Sequence, residues 1–579
     1  MRRTLLSLAA LAVAFAAADT YVVVLALVDM MQGIGLSPEQ LQRAAPIVSG
    51  FLLGYVAMLP LIGRIADLRG RVPVLTAALV VFAFGSLVTA AAYDMTTMVG
   101  GRFLQGLGGG GLVPATLALV ADIYPRERRA VPLGVVSAVQ ELGSVLGPLY
   151  GAAVLAVADW RAIFLLNLAV GLVLAAAIAT AARDADRPRL RLPDPLGVLL
   201  LLVALATGGL VFQPPNALVT DLTWGQLFIP FSSGAGRWTT PIGAVAIAAT
   251  VLLVVRCATA RRPLVDLPAW SRSLREADVV GAALFALALG GVILAFATAD
   301  PKIQVFSDAG LWYLLGAAIA TIVLVVHLRR AKAPLLPRGA LVARPAWGSV
   351  LVSFFIGGAL IAALIDVPLF ARTTAYPDSQ LMAALVLLRF LVALPIGAVL
   401  GGVLTRTLPA GVVAATGMLL AAIGFGFMSR WGIDALDSWT ATLPLVVGGL
   451  GFGLALAPVN AAVLATTDQS VHGLASAMVV VARMVGMLVG ISALTTLGLR
   501  RFYAEQADIP PVQEVCTGGS TRCSEYSMLL KQAAIAQEHT VFAGAAACAV
   551  IAAVLALVLL RGAETRSVGP RGDALASVL

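Results

Sequence analysis

Charge is scarce in this 579-residue chain: Asp, Glu, Lys and Arg together make up 12% of it, about half the roughly 25% of an average soluble domain. Hydrophobic residues make up 60%, which leaves too few polar groups to cover a water-soluble globule. Histidine is scarcer still. His327, His472 and His539 are the only three, and they are far apart in the sequence. No loop gathers His, Cys, Asp or Glu at metal-ligand or hydrolytic spacing. That counts against the competing reading, a polytopic membrane enzyme acting on lipid-linked substrates, and no metal or organic cofactor is expected. Four cysteines are too few for a disulfide scaffold. Cys516 and Cys523 share one connecting segment and are either bonded or two free thiols, whereas Cys257 and Cys548 read as small apolar packing residues. Long polar segments are also missing. Only 214–240 and 500–539 are sizeable external segments, and neither is large enough to bury a core by itself.

What the chain has instead is apolar runs. A helix crossing the bilayer core needs about 20 mainly apolar residues. Divided at its charge clusters, the sequence yields sixteen such runs, the first at 4–28 and the last at 540–560. The expected fold is an all-α polytopic membrane protein: a six-helix half over 1–182, a linker over 183–345 with about four transmembrane helices, a second six-helix half over 346–561 containing an external segment 500–539, and a tail over 562–579. The opening residues, with Arg2 and Arg3 before an apolar run, imitate a signal peptide, but the run continues through TYVVVLALV and is long enough to span uncleaved. The formal charge of +9 raises nucleic acid as a partner, and its distribution answers the point. Basic residues cluster at 64–71, 126–129, 183–191, 256–275 and 329–344, on alternate loops. This is the positive-inside pattern of a plasma-membrane protein with both termini in the cytoplasm, and no nucleic acid is needed to explain it.

Stretches 253–270 and 324–341 match at seven of eighteen positions without gaps. The linker is read either as a duplicated hairpin or as two ordinary basic helix ends.

Ionisable residues inside spans are costly, and each is a functional candidate. Asp19 lies about 15 residues into the first span, hence about 22 Å along it. It is a candidate proton carrier or a structural anchor. Arg102, about five residues into the fourth span, comes to nearly the same depth, so the two can pair. Glu141 and Arg483 make a second depth match, each 8–10 residues into the fifth helix of its half, about 12–15 Å from the inner face. They are read as a gate that pairs in one conformation or as a permanent structural pair. Arg389 lies near mid-depth in the second half and is a candidate partner of the protonated state. Asp366, near a helix end, reads as interfacial. Gly143, Gly147, Pro148 and Gly151 form a small-residue stretch suited to close helix packing.

Several motifs carry a resemblance. GRIADLRGRVP, through Gly63, Asp67, Gly70 and Arg71, resembles the loop motif of the major facilitator superfamily. RFLQGLGGGG resembles its fourth-helix motif through Arg102, Gln105 and Gly106. GSVLGPLYG resembles the fifth-helix motif of its drug/proton antiporters, and WRAIFLLNLAVG is similar to the sixth-helix opening of the fourteen-helix members. ADTYVVV, QELGSVLGPLYG, FLVALPIGAVLGG and HGLASAMVVVARMVGMLVG are similar to the mycobacterial triacylglyceride exporters of that superfamily, which act with a periplasmic lipoprotein. The resemblance implies alternating access powered by a proton gradient. It also implies export of lipids or lipophilic drugs, membrane lipids as surroundings and a lipid-carrying lipoprotein as partner. The chain departs from those relatives by an extra hairpin, sixteen expected spans against fourteen.

Overall fold

The computed structural model describes residues 2–35, 41–125, 128–183, 194–232, 236–261, 263–297, 309–331, 334–337, 339, 341–377, 379–516 and 523–565, with the side chains of some helical residues left out. The described residues contain helices and connections but no strand. The first half is built from α1 (Arg2–Gly33), α2 (Leu41–Arg69), α3 (Arg71–Ala90), α4 (Met95–Ile123), α5 (Ala130–Leu155) and α6 (Trp160–Arg183). The linker holds α7 (Pro195–Phe212), the short α8 (Asn216–Val219), α9 (Pro241–Thr259), α10 (Leu267–Glu276), α11 (Val279–Ala297) and α12 (Gly310–Arg330). The second half holds α13 (Arg344–Thr373), α14 (Gln380–Leu404), α15 (Ala410–Met428), α16 (Thr442–Ala465), α17 (His472–Ala507), the short α18 (Val512–Val515) and α19 (Ser524–Leu559).

Fourteen of these helices are long and apolar enough to cross a membrane. Helices α1 and α5 are also long, at 32 and 26 residues, and carry described apolar stretches Thr4–Asp19 and Val131–Gln140. Two six-helix halves and four linker helices result, as the apolar runs imply. The helix starts follow local chemistry. Asp94 accepts the Thr97 N–H at 2.7 Å to cap α4, Ser379 caps α14, and Pro195 and Pro241 occupy first turns, where no N–H is missed. Gly70 stands between α2 and α3 at φ 90°, in the left-handed region that favours glycine. The loop motif therefore has a backbone reason for one of its glycines.

In the linker, α7 packs with α9 and α11 with α12, as two hairpins. Each carries the same latch. Asp194 and Asp278 stand just before the first helix of their hairpins, each with a glycine three residues on, Gly197 and Gly281. Arg256 and His327, at matching positions of the two similar stretches, reach back to those aspartates. Arg256 donates to Asp194 through Nε at 2.7 Å and Nη2 at 3.0 Å, and His327 Nε2 lies 2.8 Å from Asp278 Oδ1. Leu264 and Leu335 match as well: the first lies against the Gly197 turn, and the second donates its N–H to Asp278 at 2.8 Å. Basic helix ends alone do not require a shared carboxylate latch, so the hairpins read as two copies of one design.

The two copies sit differently. The α11–α12 hairpin leans on α2 and α17, one helix from each half, while α7 and α9 pack mainly on each other. Of the apolar window of α7, 11% is buried against protein, compared with 83% for α4. The hairpin α7–α9 is thus peripheral, and α4 is central.

Candidate functional site

Glycine placement decides which side chains meet inside the first half. Gly143, Gly147 and Gly151 recur every four residues, so one face of α5 lacks side chains. A Cβ at Gly143 would lie 2.0 Å from the Ala14 carbonyl oxygen, one at Gly147 2.4 Å from that of Ala18, and one at Gly151 2.6 Å from a Val22 methyl. Helix α1 therefore meets α5 nearly backbone to backbone, which fixes Asp19 just beyond the Ala18 contact. Helix α4 is wedged in the same way. Gly106 and Gly110 face the carbonyls of Phe51 and Tyr55 on α2, and Gly108 faces Phe82 on α3. That approach carries Arg102 and Gln105 into the interior.

The result is a buried polar network. Arg102 Nη1 donates to Asp19 Oδ2 at 2.8 Å and to Gln105 Oε1 at 2.7 Å. Gln105 Nε2 donates to Ser86 Oγ at 2.8 Å and lies 3.4 Å from Asp19 Oδ1. Asn167, from α6, donates a short hydrogen bond to Asp19 Oδ1, and the Tyr150 hydroxyl lies 3.4 Å from Asn167 Oδ1. Asp19, Arg102 and Asn167 are each 1% exposed, so solvent screens none of these contacts. The guanidinium also lies 4.4 Å from the Phe51 ring centroid and 5.8 Å from that of Phe164, where the ring faces favour a cation. A carboxylate with one cation and two amide donors in an apolar bundle is equipped to exchange charge for a proton. Neutralising Asp19 would leave Arg102 held by Gln105 and the two rings.

A second cluster links the halves at the end bearing the α2–α3 turn. Asp67 on α2 accepts the N–H of Gly473 at 3.1 Å and of Leu474 at 3.4 Å. These are first-turn amides of α17, with no partner inside their own helix. Arg71 pairs with Asp67 and lies 3.2 Å from Asp122 on α4, which Gln469 approaches at 3.4 Å. Gly63 makes this crossing possible, since a Cβ there would lie 2.6 Å from the Gly473 carbonyl oxygen. On the other seam, a Cβ at Gly134 of α5 would lie 2.5 Å from the Ala398 carbonyl of α14.

Arg389 donates to Thr442 at 3.0 Å, within the second half. Arg483 is buried on α17, and its carbonyl oxygen would lie 2.0 Å from a Cβ at Gly357 on α13. The side chains of Glu141 and Pro148 lie outside the described residues. Cys516, just after α18, and Cys523, just before α19, are joined in a disulfide. Asp366 corrects its sequence reading. It is 3% exposed rather than interfacial, because α13 continues to Thr373 and α19 packs over it. Asn167 was not singled out from the sequence, although it is the only amide in the sixth helix and stands within an apolar run.

Two six-helix halves, with charge buried inside each and a polar contact between them, are the architecture of a secondary transporter. The chain belongs to the Major Facilitator Superfamily, whose family model matches residues 9–491. It is accordingly a transporter and not an enzyme. A triacylglyceride transporter of Mycolicibacterium hassiacum is 34% identical over 573 residues, covering 96% of this chain and 91% of the relative. A triacylglyceride transporter of Mycobacterium tuberculosis is 35% identical over 531 residues, covering 88% and 86%. Among solved structures, the proton:xylose symporter XylE aligns with a TM-score of 0.52 at 14% identity over 96% of this chain and 94% of its own. The human organic anion transporter MFSD10 aligns with a TM-score of 0.55 at 13% identity over 96% and 99%. At those identities the structures establish a common fold.

Proposed function

We propose that the protein exports triacylglyceride-like lipids, or lipophilic drugs, across the plasma membrane by alternating access coupled to the proton gradient. The observation that carries this reading is the buried Asp19–Arg102 pair with its amide donors. A proton arriving at Asp19 cancels its attraction for Arg102, and that change in a low-dielectric interior is large enough to bias a conformational equilibrium. The Asp67 contact to the start of α17 supplies an element that such a bias can open and close. With both termini in the cytoplasm, this contact lies on the cytoplasmic side, and the disulfide and the extensions of α17 and α19 lie outside. At 36 residues each, these two helices reach about 54 Å, beyond a hydrocarbon core of about 30 Å. They stand where a periplasmic lipid-carrying lipoprotein would receive cargo. The lipid class follows from the relatives named as triacylglyceride transporters.

The test uses inverted membrane vesicles with an imposed pH gradient, offered a labelled triacylglyceride and a panel of lipophilic drugs. Gradient-dependent accumulation that a protonophore abolishes is expected. Accumulation indifferent to the gradient would remove the coupling, and gradient-driven movement of neither cargo class would remove the substrate assignment.

A further inference from the structure

A second set of buried acids lies in the other half, away from Asp19. Asp366 on α13 is 3% exposed and Glu538 on α19 is 2% exposed. The two helices run antiparallel, with Gly348 meeting Leu559 near one end. From that contact Asp366 lies 18 residues along α13 and Glu538 lies 21 residues back along α19, at about 27 Å and about 32 Å. The carboxyls therefore come to the same level within about one helical turn. Glu538 Oε1 accepts from Gln537 Nε2 at 3.2 Å, while its buried Oε2 has no hydrogen-bond partner among the described residues. Aromatic rings surround the pair. Phe370, one turn from Asp366, lies 5.2 Å from Trp431 and 6.5 Å from Phe542, which is one turn from Glu538.

Charged groups on the packed elements point elsewhere. Arg372 on α13, Arg430 after α15, and Arg500 and Arg501 on α17 are exposed. Lys531 lies about two turns from Glu538 on α19, and His539 Nε2 lies 2.7 Å from the Trp431 carbonyl. Arg389 on α14 is held by Thr442, and buried Arg483 on α17 meets α13 at Gly357, nine residues and so about 14 Å along the helix from Asp366. Two buried acids with no neighbouring cation among the described residues leave a charge uncompensated, which a protein relieves by binding a positive ligand or a proton. Metal cations require several oxygen ligands at once, and no group of three or more His, Cys, Asp or Glu able to hold a metal occurs among the described residues.

We infer that Asp366 and Glu538 form a second proton-binding site, at the outer end of the second half and separate from the Asp19 network. The unpartnered Glu538 oxygen is where the proton resides, and α13 and α19 pack face to face while it is bound.

Infrared difference spectra of the full-length protein in lipid nanodiscs, recorded across a pH titration, test this without any transport measurement. The expected result is a protonated-carboxyl carbonyl band that titrates in the wild type. It should be lost in both Glu538→Gln and Asp366→Asn and kept in Asp19→Asn. Survival of that band in both variants would overturn the inference. So would its removal at fixed pH by added sodium or calcium, which would make a metal ion the ligand. If Glu538→Gln fails to fold, Glu538→Asp and Asp366→Asn decide: an unchanged band in both is equally fatal. Because the readout is a bound proton and not cargo, its failure leaves coupling through Asp19 standing, and the converse holds as well.

Discussion

Asp19 and Arg102, 83 residues apart in sequence, meet at 2.8 Å in the interior of the first half. Their contact depends on two separate glycine strips, one on α5 that admits α1 and one on α4 that fits between α2 and α3. Charge and packing are therefore one device here: the bundle closes only where side chains are absent, and it closes around the pair.

Asp19→Asn keeps the shape and the hydrogen-bonding capacity of the side chain but cannot exchange a proton at physiological pH. Gradient-driven export is expected to fall about a hundredfold, with the protein still inserted and monodisperse. Arg102→Met leaves a buried carboxylate without its cation and is expected to cost about 3–5 kcal/mol of stability. Thermal unfolding in detergent separates the two effects. Wild-type export by Asp19→Asn would end the coupling role.

Asn167 and Tyr150 rank by their distance from the carboxylate. Asn167 donates directly to Asp19, and a hydrogen bond to a charged group contributes about 1.5–3 kcal/mol. The Tyr150 hydroxyl lies 3.2 Å from the Ile163 carbonyl and 3.4 Å from Asn167 Oδ1, so its contact toward Asp19 is an indirect, neutral one worth about 0.5–1.5 kcal/mol. Asn167→Ala should therefore impair export more than Tyr150→Phe, measured as initial rates in the same vesicles. The reverse order would mean that the Asn167 contact does not tune the site.

Much of this was legible in the sequence, for physical reasons. A bilayer demands about 20 apolar residues per crossing, so charge clusters divide the chain into its spans. Rise per residue places Asp19 and Arg102 at one depth before any contact is seen. The GSVLGPLYG stretch announces close packing, though not that its partner is α1. Other features depend on tertiary contact. Asn167 carries no charge, so the cost argument that singles out buried ions passes over it. Glu538 falls in a segment read as external, because α19 begins at Ser524 and not near residue 540. Its burial comes with the packing of α13, α15 and α17 on α19, which no single segment reveals. The latch shared by the linker hairpins is visible in retrospect as Asp-x-x-Gly before each first helix, but only the fold shows Arg256 and His327 turning back to it.

Asp67→Ala removes the acceptor for two first-turn amides of α17 and the partner of Arg71. The conformation closed at that end loses stability, while the Asp19 network is untouched. Turnover is expected to slow about tenfold, the equivalent of about 1.4 kcal/mol, with little change in the cargo concentration giving half-maximal rate. A weaker apparent affinity at unchanged turnover would count against a conformational role.

The last expectation concerns Glu141 and Arg483. They occupy the fifth helices of the two halves, and Arg483 is 6% exposed on α17. Helix α17 is also the element that Asp67 holds from the first half, so a contact from α5 to Arg483 would act on the same moving part. If the two residues pair across the halves, neutralising either one removes the same interaction, and neutralising both removes it only once. Glu141→Gln and Arg483→Gln should then each reduce export, and the double variant should lose less than the sum of the two in free-energy terms. The shortfall should fall in the range of about 0.5–3 kcal/mol measured for residues in contact. Protein amounts matched by quantitative blotting keep folding losses out of the comparison. Strict additivity would show that the residues act independently, and the closure at this end would then rest on Asp67 and the start of α17 without them.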